Sequence, residues 1–454
     1  MIAGLQSIRQ VVPRLRSRDV SPVDLVRQCL ERIDARPELN AFITVMRERA
    51  LSEARTAETQ IAAGLYRGGL HGIPISVKDL VDVAGTPTTA GSAVPPRHPT
   101  ADAPIVTRLR EAGAIIIGKT NLHEFAFGTT SEESAFGPVR HPRDPSRSAG
   151  GSSGGAAVAL LEGMCFASVG TDTGGSIRIP SAVCGLTGLK PAFGELPCDG
   201  IVALSTTLDH VGPIARNVGD LSVMFSAMAG MAGPDRVDSL RSYVFGVPET
   251  YFCDRLHPAV RAGLARTREA LARAGHEIRT VAVEHAPLTP DVYLHIVLPE
   301  ASWYHAALLA EYADRYSHGV RLRLEMGRYI LAEDYARALH LRTVLRRAVE
   351  DAMTGCDALL LPTLAIPAPT LGATTVDVDG TQEPIRAAML RLTQLFNMTG
   401  HPAIALPAGT TDDGWPVSVQ LVGRLDGTSR LIEIASVVEA YSTGGDGSVG
   451  GGTG

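Results

Sequence analysis

Ser148-Ala149-Gly150-Gly151-Ser152-Ser153-Gly154-Gly155 is followed, after one apolar segment, by Gly170-Thr171-Asp172-Thr173-Gly174-Gly175-Ser176-Ile177-Arg178. Four glycines and three serines in the first eight residues bury almost no apolar area and cost the most backbone entropy to order, so they do not serve a core. A flexible linker is the plain alternative. It fails because an Ala-Ala-Val-Ala-Leu-Leu helix (156–161) and a Phe-Ala-Ser-Val-Gly strand (166–170) continue the run. Such a loop is kept for its backbone, whose N–H groups approach a ligand closely, and for hydroxyls that serve as nucleophile or proton carrier. The second run repeats this pattern before a short helix expected over 176–183, where unpaired N–H groups favour a developing negative charge.

Outward from this stretch, β-like runs alternate with helical ones. Strands are expected at 73–83, 114–118 and 165–170, with a helix at 104–112, and further strands at 242–247, 278–283, 358–361, 403–406 and 417–422. Near the N-terminus, Ser21-Pro22 followed by Asp24 predicts a capped helix to about Ala35, and 47–63 reads as another. The alternation argues for an α/β fold with a parallel or mixed sheet. Between 286 and 354 the pattern changes to a long helical stretch carrying Trp303, Tyr304, Tyr312, Tyr316 and Tyr329. Asp172 and Arg178 read as a structural pair bracing the loop between them. A lone lysine is usually solvated, but Lys78 ends the apolar run Gly72-Ile73-Pro74-Ile75-Ser76-Val77; desolvation there disfavours the ammonium and lowers the pKa.

The run GGSSGGAAVAL…GTDTGGSIRIPSAVCGLTGLKP resembles the defining motif of the amidase signature family of serine hydrolases. The resemblance continues through GAIIIGKTNLHEFAFG (113–128), LDHVGPIAR (208–216), DALLLPT (357–363) and FNMTGHPAIALPAG (396–409), and covers most of the chain. It implies one large α/β domain over 1–441, a mixed β-sheet core flanked by helices on both faces, with 286–354 as a variable helical region that shapes the substrate pocket. Residues 442–454 are left as a disordered, glycine-rich tail. It further implies a catalytic triad of Ser176 as nucleophile, Ser152, preceded by a cis peptide bond, as proton shuttle, and Lys78 as base. The backbone amides of Thr173, Gly174, Gly175 and Ser176 would form the oxyanion hole, and Phe127, Gly128 and Thr129 would border the acyl side of the pocket. Neither a metal nor a cofactor is called for.

The activity this implies is serine-dependent hydrolysis of C–N bonds in small uncharged amides, aryl or alkyl, extending to carbamates (urethanes) and esters, through an acyl-enzyme. The alternative is the glutaminase component of a tRNA-dependent amidotransferase, which shares the same motifs. Against it, 320–345 shows no clear match to the glutamine-binding arginine region of those proteins. The partner expected is a small-molecule amide or carbamate, with a homodimer among the open assembly states.

Two other motif matches compete. Gly113-Ala114-Ile115-Ile116-Ile117-Gly118-Lys119-Thr120 fits the literal phosphate-binding pattern G-x-x-x-x-G-K-T. A phosphate cradle needs an exposed loop after a strand, whereas Ala-Ile-Ile-Ile is itself the most strand-like segment nearby, so a buried strand and turn is the better reading. No Mg²⁺-binding Asp ends a second apolar strand, since Asp357 precedes its own. Gly151-Ser152-Ser153-Gly154-Gly155 also fits G-x-S-x-G with Ser153 as nucleophile, but that elbow needs a strand directly before it, and His141-Pro142-Arg143-Asp144-Pro145 stands there. With thirteen histidines some partner is always available, and His210, His305 and His401 have no distinguishing context.

Composition narrows the partners. At 454 residues, 45% hydrophobic and 20% charged, the chain has enough apolar content for a large core. A net charge of −6 without a basic block disfavours direct nucleic-acid or anionic-membrane binding. Six scattered cysteines without Cys-x-x-Cys spacing suit reduced thiols and a cytoplasmic location. Met1–Arg18 shows no signal peptide, and no stretch of 18 apolar residues occurs.

Overall fold

The apolar runs assemble into one sheet of eleven strands, which we number in chain order: β1 (Phe42–Val45), β2 (Pro74–Lys78), β3 (Ile115–Thr120), β4 (Ala167–Asp172), β5 (Thr187–Lys190), β6 (His210–Ala215), β7 (Val244–Pro248), β8 (Glu277–Val281), β9 (Ala358–Pro362), β10 (Ala403–Thr410) and β11 (Pro416–Val422). Their spatial order is β1-β3-β2-β4-β6-β5-β10-β11-β9-β7-β8. The computed structural model describes residues 7–231 and 241–442. Pairing is parallel within β3-β2-β4 and β9-β7-β8, and antiparallel through the centre and between β3 and the edge strand β1. Helical crossovers link the parallel strands: Pro104–Glu111 runs between the paired strands β2 and β3, Gly154–Leu161 carries the chain from β3 to β4 on the other side of β2, and Pro258–Arg273 runs between the paired strands β7 and β8.

Both faces of the sheet are covered, which is why β3 reads as a continuous apolar run rather than an alternating one. Ile115 and Ile117 pack into one core and Ile116 into the other. The N-terminal helix Pro22–Ala35 begins as expected, with the Ser21 side chain accepting from Val23 N–H and proline at the first turn. The 286–354 region forms the helices Thr289–Tyr312, His318–Gly327 and Ala332–Ala352.

The expected strand over 73–83 ends early, at Lys78, because the chain turns there: Val81 N–H donates to Lys78 O and the Asp79 carboxylate accepts Thr89 N–H. That turn delivers Lys78 to the edge of the site. The helix expected over 176–183 starts two residues later, at Arg178. Sequence reading missed β1, β5 and β6; β5 and β6 lie inside the 170–191 and 208–216 motifs, where Gly188, Gly212 and Pro213 break the strand pattern. It also missed a strand at Asp144–Ser148, which pairs with Arg140–His141 in a separate two-stranded ribbon and bridges to Thr370, and in which Pro145 stays exposed. Of the expected tail, Ser442 ends the last helix, Thr428–Ser442, and 443–454 lie outside the described residues.

Candidate active site

Three elements converge at the C-terminal ends of β2 and β4. β2 contributes Lys78, the 148–155 stretch contributes Ser152, and the loop leaving β4 contributes Ser176. Lys78 Nζ lies 2.7 Å from Ser152 Oγ and 2.9 Å from Thr171 Oγ1, and among the described residues no carboxylate is bonded to it. Burial pulls its pKa down to about 7, against the opposing fields of Asp172 and Asp209. Lys78 and Ser152 are fully buried while Ser176 retains 6% exposure, so an incoming molecule can reach only the last of the three.

The peptide bond Gly151–Ser152 is cis. A Cβ on Gly151 would lie 2.8 Å from the backbone nitrogens of Thr130 and Ser131, so only glycine admits this approach of two backbones. Ser153 N–H donates to Ser176 O (3.2 Å), tying the two glycine-rich runs together. The Ser153 hydroxyl turns away to Thr171 O (3.3 Å), and His210, His305 and His401 are buried on unrelated partners. Among the described residues, neither the Ser152 nor the Ser153 hydroxyl is paired with an imidazole.

The loop after β4 is held open by a buried ion pair. Arg178 grips both oxygens of Asp172, Nη2–Oδ1 at 3.0 Å and Nε–Oδ2 at 3.1 Å, with both side chains fully buried. Burial raises the Asp172 pKa, but Arg178, Asn397 and Lys190 outweigh it and hold the carboxyl well below the usual range. Asn397, from the 396–409 motif, bonds both Asp172 and Arg178, and Gln420 on β11 takes a further Arg178 nitrogen. Asp172 Oδ2 also accepts the N–H groups of Ile177 and Arg178. Among the described residues, the preceding N–H groups of Thr173, Gly174, Gly175 and Ser176 donate no hydrogen bond, nor does the Ser176 hydroxyl. Four free backbone donors beside a partly exposed hydroxyl can stabilise an oxyanion.

A cleft of about 580 Å³ borders this site through Thr171 and Thr173, and has Leu80, Phe193, Leu196 and Tyr304 on its apolar walls. It is not wholly apolar: Asp209, Asp199 and Arg97 also face it. Trp303, expected near Tyr304, points outward at 72% exposure. Phe127 does not line this cleft; its ring is buried with the guanidinium groups of Arg323 and Arg386 over it at 5.3 and 5.6 Å. Gly128 packs under the His123 ring, and Thr129 lies against Gly151. Thr171 and Asp209 escaped the sequence reading, because their place beside Lys78 follows from strand register that one sequence does not reveal. Among the described residues, no group of three or more His, Cys, Asp or Glu side chains is arranged to hold a metal ion. Nor is any described helix long and apolar enough to cross a membrane.

Comparison with known proteins bears on the family. Residues 24–427 match the protein family described as Amidase. An amidase from Pseudomonas putida is 39% identical over 425 residues, 90% of each chain. A glutamyl-tRNA(Gln) amidotransferase subunit from Syntrophus aciditrophicus is 33% identical, over 95% of this chain and 96% of that one. A solved amidase crystal structure superposes with a TM-score of 0.91 at 38% identity, over 96% of this chain and 99% of the other. With the eleven-stranded mixed sheet and the glycine-rich motifs both accounted for, the chain belongs to the amidase signature family, hydrolases acting on carbon–nitrogen bonds.

Proposed function

We propose that the protein is a stand-alone amidohydrolase that cleaves small amides through an acyl-enzyme on Ser176. The observation that carries this reading is the 2.7 Å contact between Ser152 and a buried Lys78 with no bonded carboxylate. With its pKa drawn to about 7, Lys78 is neutral in a large fraction of molecules at physiological pH and can accept a proton. In the mechanism, Lys78 takes the Ser152 proton as Ser152 takes that of Ser176, whose hydroxyl rotates onto Ser152 once a carbonyl occupies the loop. Ser176 Oγ forms a bond to the carbonyl carbon. The oxyanion is received by the N–H groups of Thr173, Gly174, Gly175 and Ser176, each such donor contributing about 3 kcal/mol in related acyl transfers. The relay then runs in reverse: Lys78 returns its proton through Ser152 to the leaving nitrogen, the C–N bond breaks, and water attacks the acyl-enzyme by the same path.

The substrates proposed are uncharged aryl and alkyl amides, with carbamates and esters as further acyl donors, and Phe127, Gly128 and Thr129 are proposed to border the acyl side, a reading supported by Thr129 lying against Gly151. The higher identity to the Pseudomonas putida amidase than to the amidotransferase subunits supports this choice over the glutaminase reading. The test is kcat/KM for an anilide, an aryl carbamate and free glutamine under one set of conditions. The anilide or carbamate is expected to lead. A tenfold advantage for glutamine, or turnover only with added partner subunits, would replace this reading with the amidotransferase one.

A further inference from the structure

Asp209 sits just before β6, on the wall of the cleft and outside the proposed triad. Its carboxylate accepts hydrogen bonds on both oxygens: Oδ1 from the Thr173 hydroxyl at 2.6 Å, Oδ2 from Leu204 N–H at 2.9 Å and Ser205 N–H at 3.1 Å. The turn that supplies those N–H groups is itself held by a second carboxylate. Glu300, on the Thr289–Tyr312 helix, accepts Ser205 Oγ (2.5 Å) and Thr207 N–H (3.2 Å) on one oxygen, and Thr207 Oγ1 (2.7 Å) and Tyr335 Oη (2.9 Å) on the other. A continuous path therefore joins the helical region to Thr173, the first residue of the free N–H run.

We propose that Asp209 is a positioning residue for the hydrolysis, anchoring the Thr173 hydroxyl so that the N–H groups of 173–176 face the reacting carbonyl, with Glu300 holding the turn that delivers it. The assignment rests on the reading of 173–176 as oxyanion donors. The chemistry of the anchor favours a carboxylate. Oδ2 meets two backbone N–H groups that can only donate, so an amide here must keep its oxygen on the Leu204–Ser205 turn and offer its NH₂ to the Thr173 hydroxyl, which then accepts a neutral bond in place of donating the stronger charge-assisted one. The next residue is held through its backbone alone: Gly174 O accepts the Thr393 hydroxyl at 2.6 Å. Gly174 has no room for a side chain, since a Cβ there would lie 2.5 Å from Tyr293 Oη, and Thr173 is the residue through which a side chain can fix the start of the loop.

Asp209 has a second effect through its charge. Asp172 and Asp209 are the carboxylates whose fields reach Lys78, and both favour its ammonium form. Asp209 in turn faces Glu300, Cys198 and Tyr293. Burial raises its own pKa to about 6, so it is ionised over the range in which Lys78 becomes neutral.

The test is a panel of Asp209→Asn, Thr173→Val, Thr173→Ser and Glu300→Gln, with Ser176→Ala as reference, followed by kcat, KM and the pH profile of kcat/KM. Removing one oxyanion donor costs about 10²–10³ in kcat, and displacing the run is expected to cost about 10–100-fold with KM within about threefold. Asp209→Asn and Thr173→Val both show that loss, Thr173→Ser recovers most of it, and Glu300→Gln loses less than either. The pH profile separates positioning from mere structural support: Asp209→Asn moves the acid limb to lower pH, because Lys78 loses a neighbouring negative charge, whereas Thr173→Val leaves it in place. Wild-type kcat with an unmoved limb in Asp209→Asn overturns the proposal, as does a rise in KM alone, which would make Asp209 a substrate-binding group. If Asp209→Asn does not fold, Thr173→Val against Thr173→Ser decides, equal rates overturning it. Turnover retained in Ser176→Ala would sink the acyl-enzyme reading instead, so the two failures are distinguishable.

Discussion

Two lysines stand at the ends of neighbouring strands, Lys78 on β2 and Lys119 on β3, both fully buried. In the pairing of these strands Lys78 is level with Thr120 and Lys119 with Val77, an offset of one residue that sends the two side chains to opposite faces. On its face Lys119 meets Asp79 at 2.7 Å, Thr88 Oγ1 at 2.6 Å and Pro87 O at 2.9 Å. On the other, Lys78 meets two hydroxyls. Burial lowers both pKa values, but Asp79 opposes it at Lys119 through a direct bond, while at Lys78 the opposing carboxylates act only through space. Equal burial thus yields one lysine held as a structural cation and one free to become a base. Partner chemistry decides between them.

The largest effect expected from breaking this contrast is on turnover. Lys78→Met and Ser176→Ala each remove a link in a serial relay, and activity should fall by about 10⁴-fold or more, as when members of other catalytic triads are removed. Ser152→Ala should lose several orders of magnitude as well. Because Lys78 is bonded only to neutral hydroxyls, Lys78→Met leaves no buried charge behind and should melt within a few degrees of wild type. A Lys78→Met enzyme with near-normal kcat would end the base assignment.

Lys119→Met should do the reverse. It leaves the Asp79 carboxylate buried without its cation, and breaking a buried pair in this way costs about 3–5 kcal/mol of stability. The folded fraction should still turn over at close to the wild-type rate, measured as kcat per mole of titratable active sites. Unchanged stability in denaturant titration, together with lost turnover, would show that Lys119 belongs to the site after all.

This pair also shows how far one sequence can be read. Strand propensity outweighs the literal phosphate-loop match at 113–120, and β3 is the buried strand that this argument predicts. Lys78 is legible because it ends a short apolar run, 72–77, and because the family resemblance calls for a lysine at that place. Asp79 is not separable from it by pattern, and its partnership with Lys119 depends on the turn after Lys78, which no periodicity encodes. The same holds for Thr171 and Asp209. Asn397 and Gln420 lie far along the chain from the Asp172–Arg178 pair that they bond, on elements brought near it only by the central antiparallel strands. Motifs report which residues are special; register reports whom they touch.

A smaller effect follows from the pKa of Lys78. Only the neutral amine accepts a proton, so kcat/KM should rise about tenfold per pH unit up to about 7 and level off above it. The sign follows from burial, which lowers an ammonium pKa and moves the active form toward neutrality. A profile that peaks near pH 5 and declines above it would be incompatible with a lysine base, whichever serine is the nucleophile.

The smallest effect separates adjacent serines. Ser152 and Ser153 are equally buried, but the Ser153 hydroxyl makes one long bond, 3.3 Å, to Thr171 O, while its contribution to the loop, the donation to Ser176 O, comes from its backbone. Ser153→Ala deletes only the hydroxyl. A neutral hydrogen bond contributes about 1 kcal/mol, and one at this length should contribute less, so stability should fall by under about 1 kcal/mol and kcat by no more than about threefold. The measurement is kcat on an anilide beside Ser152→Ala prepared in parallel. If Ser153→Ala proved the more damaging of the two, the G-x-S-x-G reading of 151–155 would return, and the hydroxyl that Lys78 touches at 2.7 Å would have to be structural.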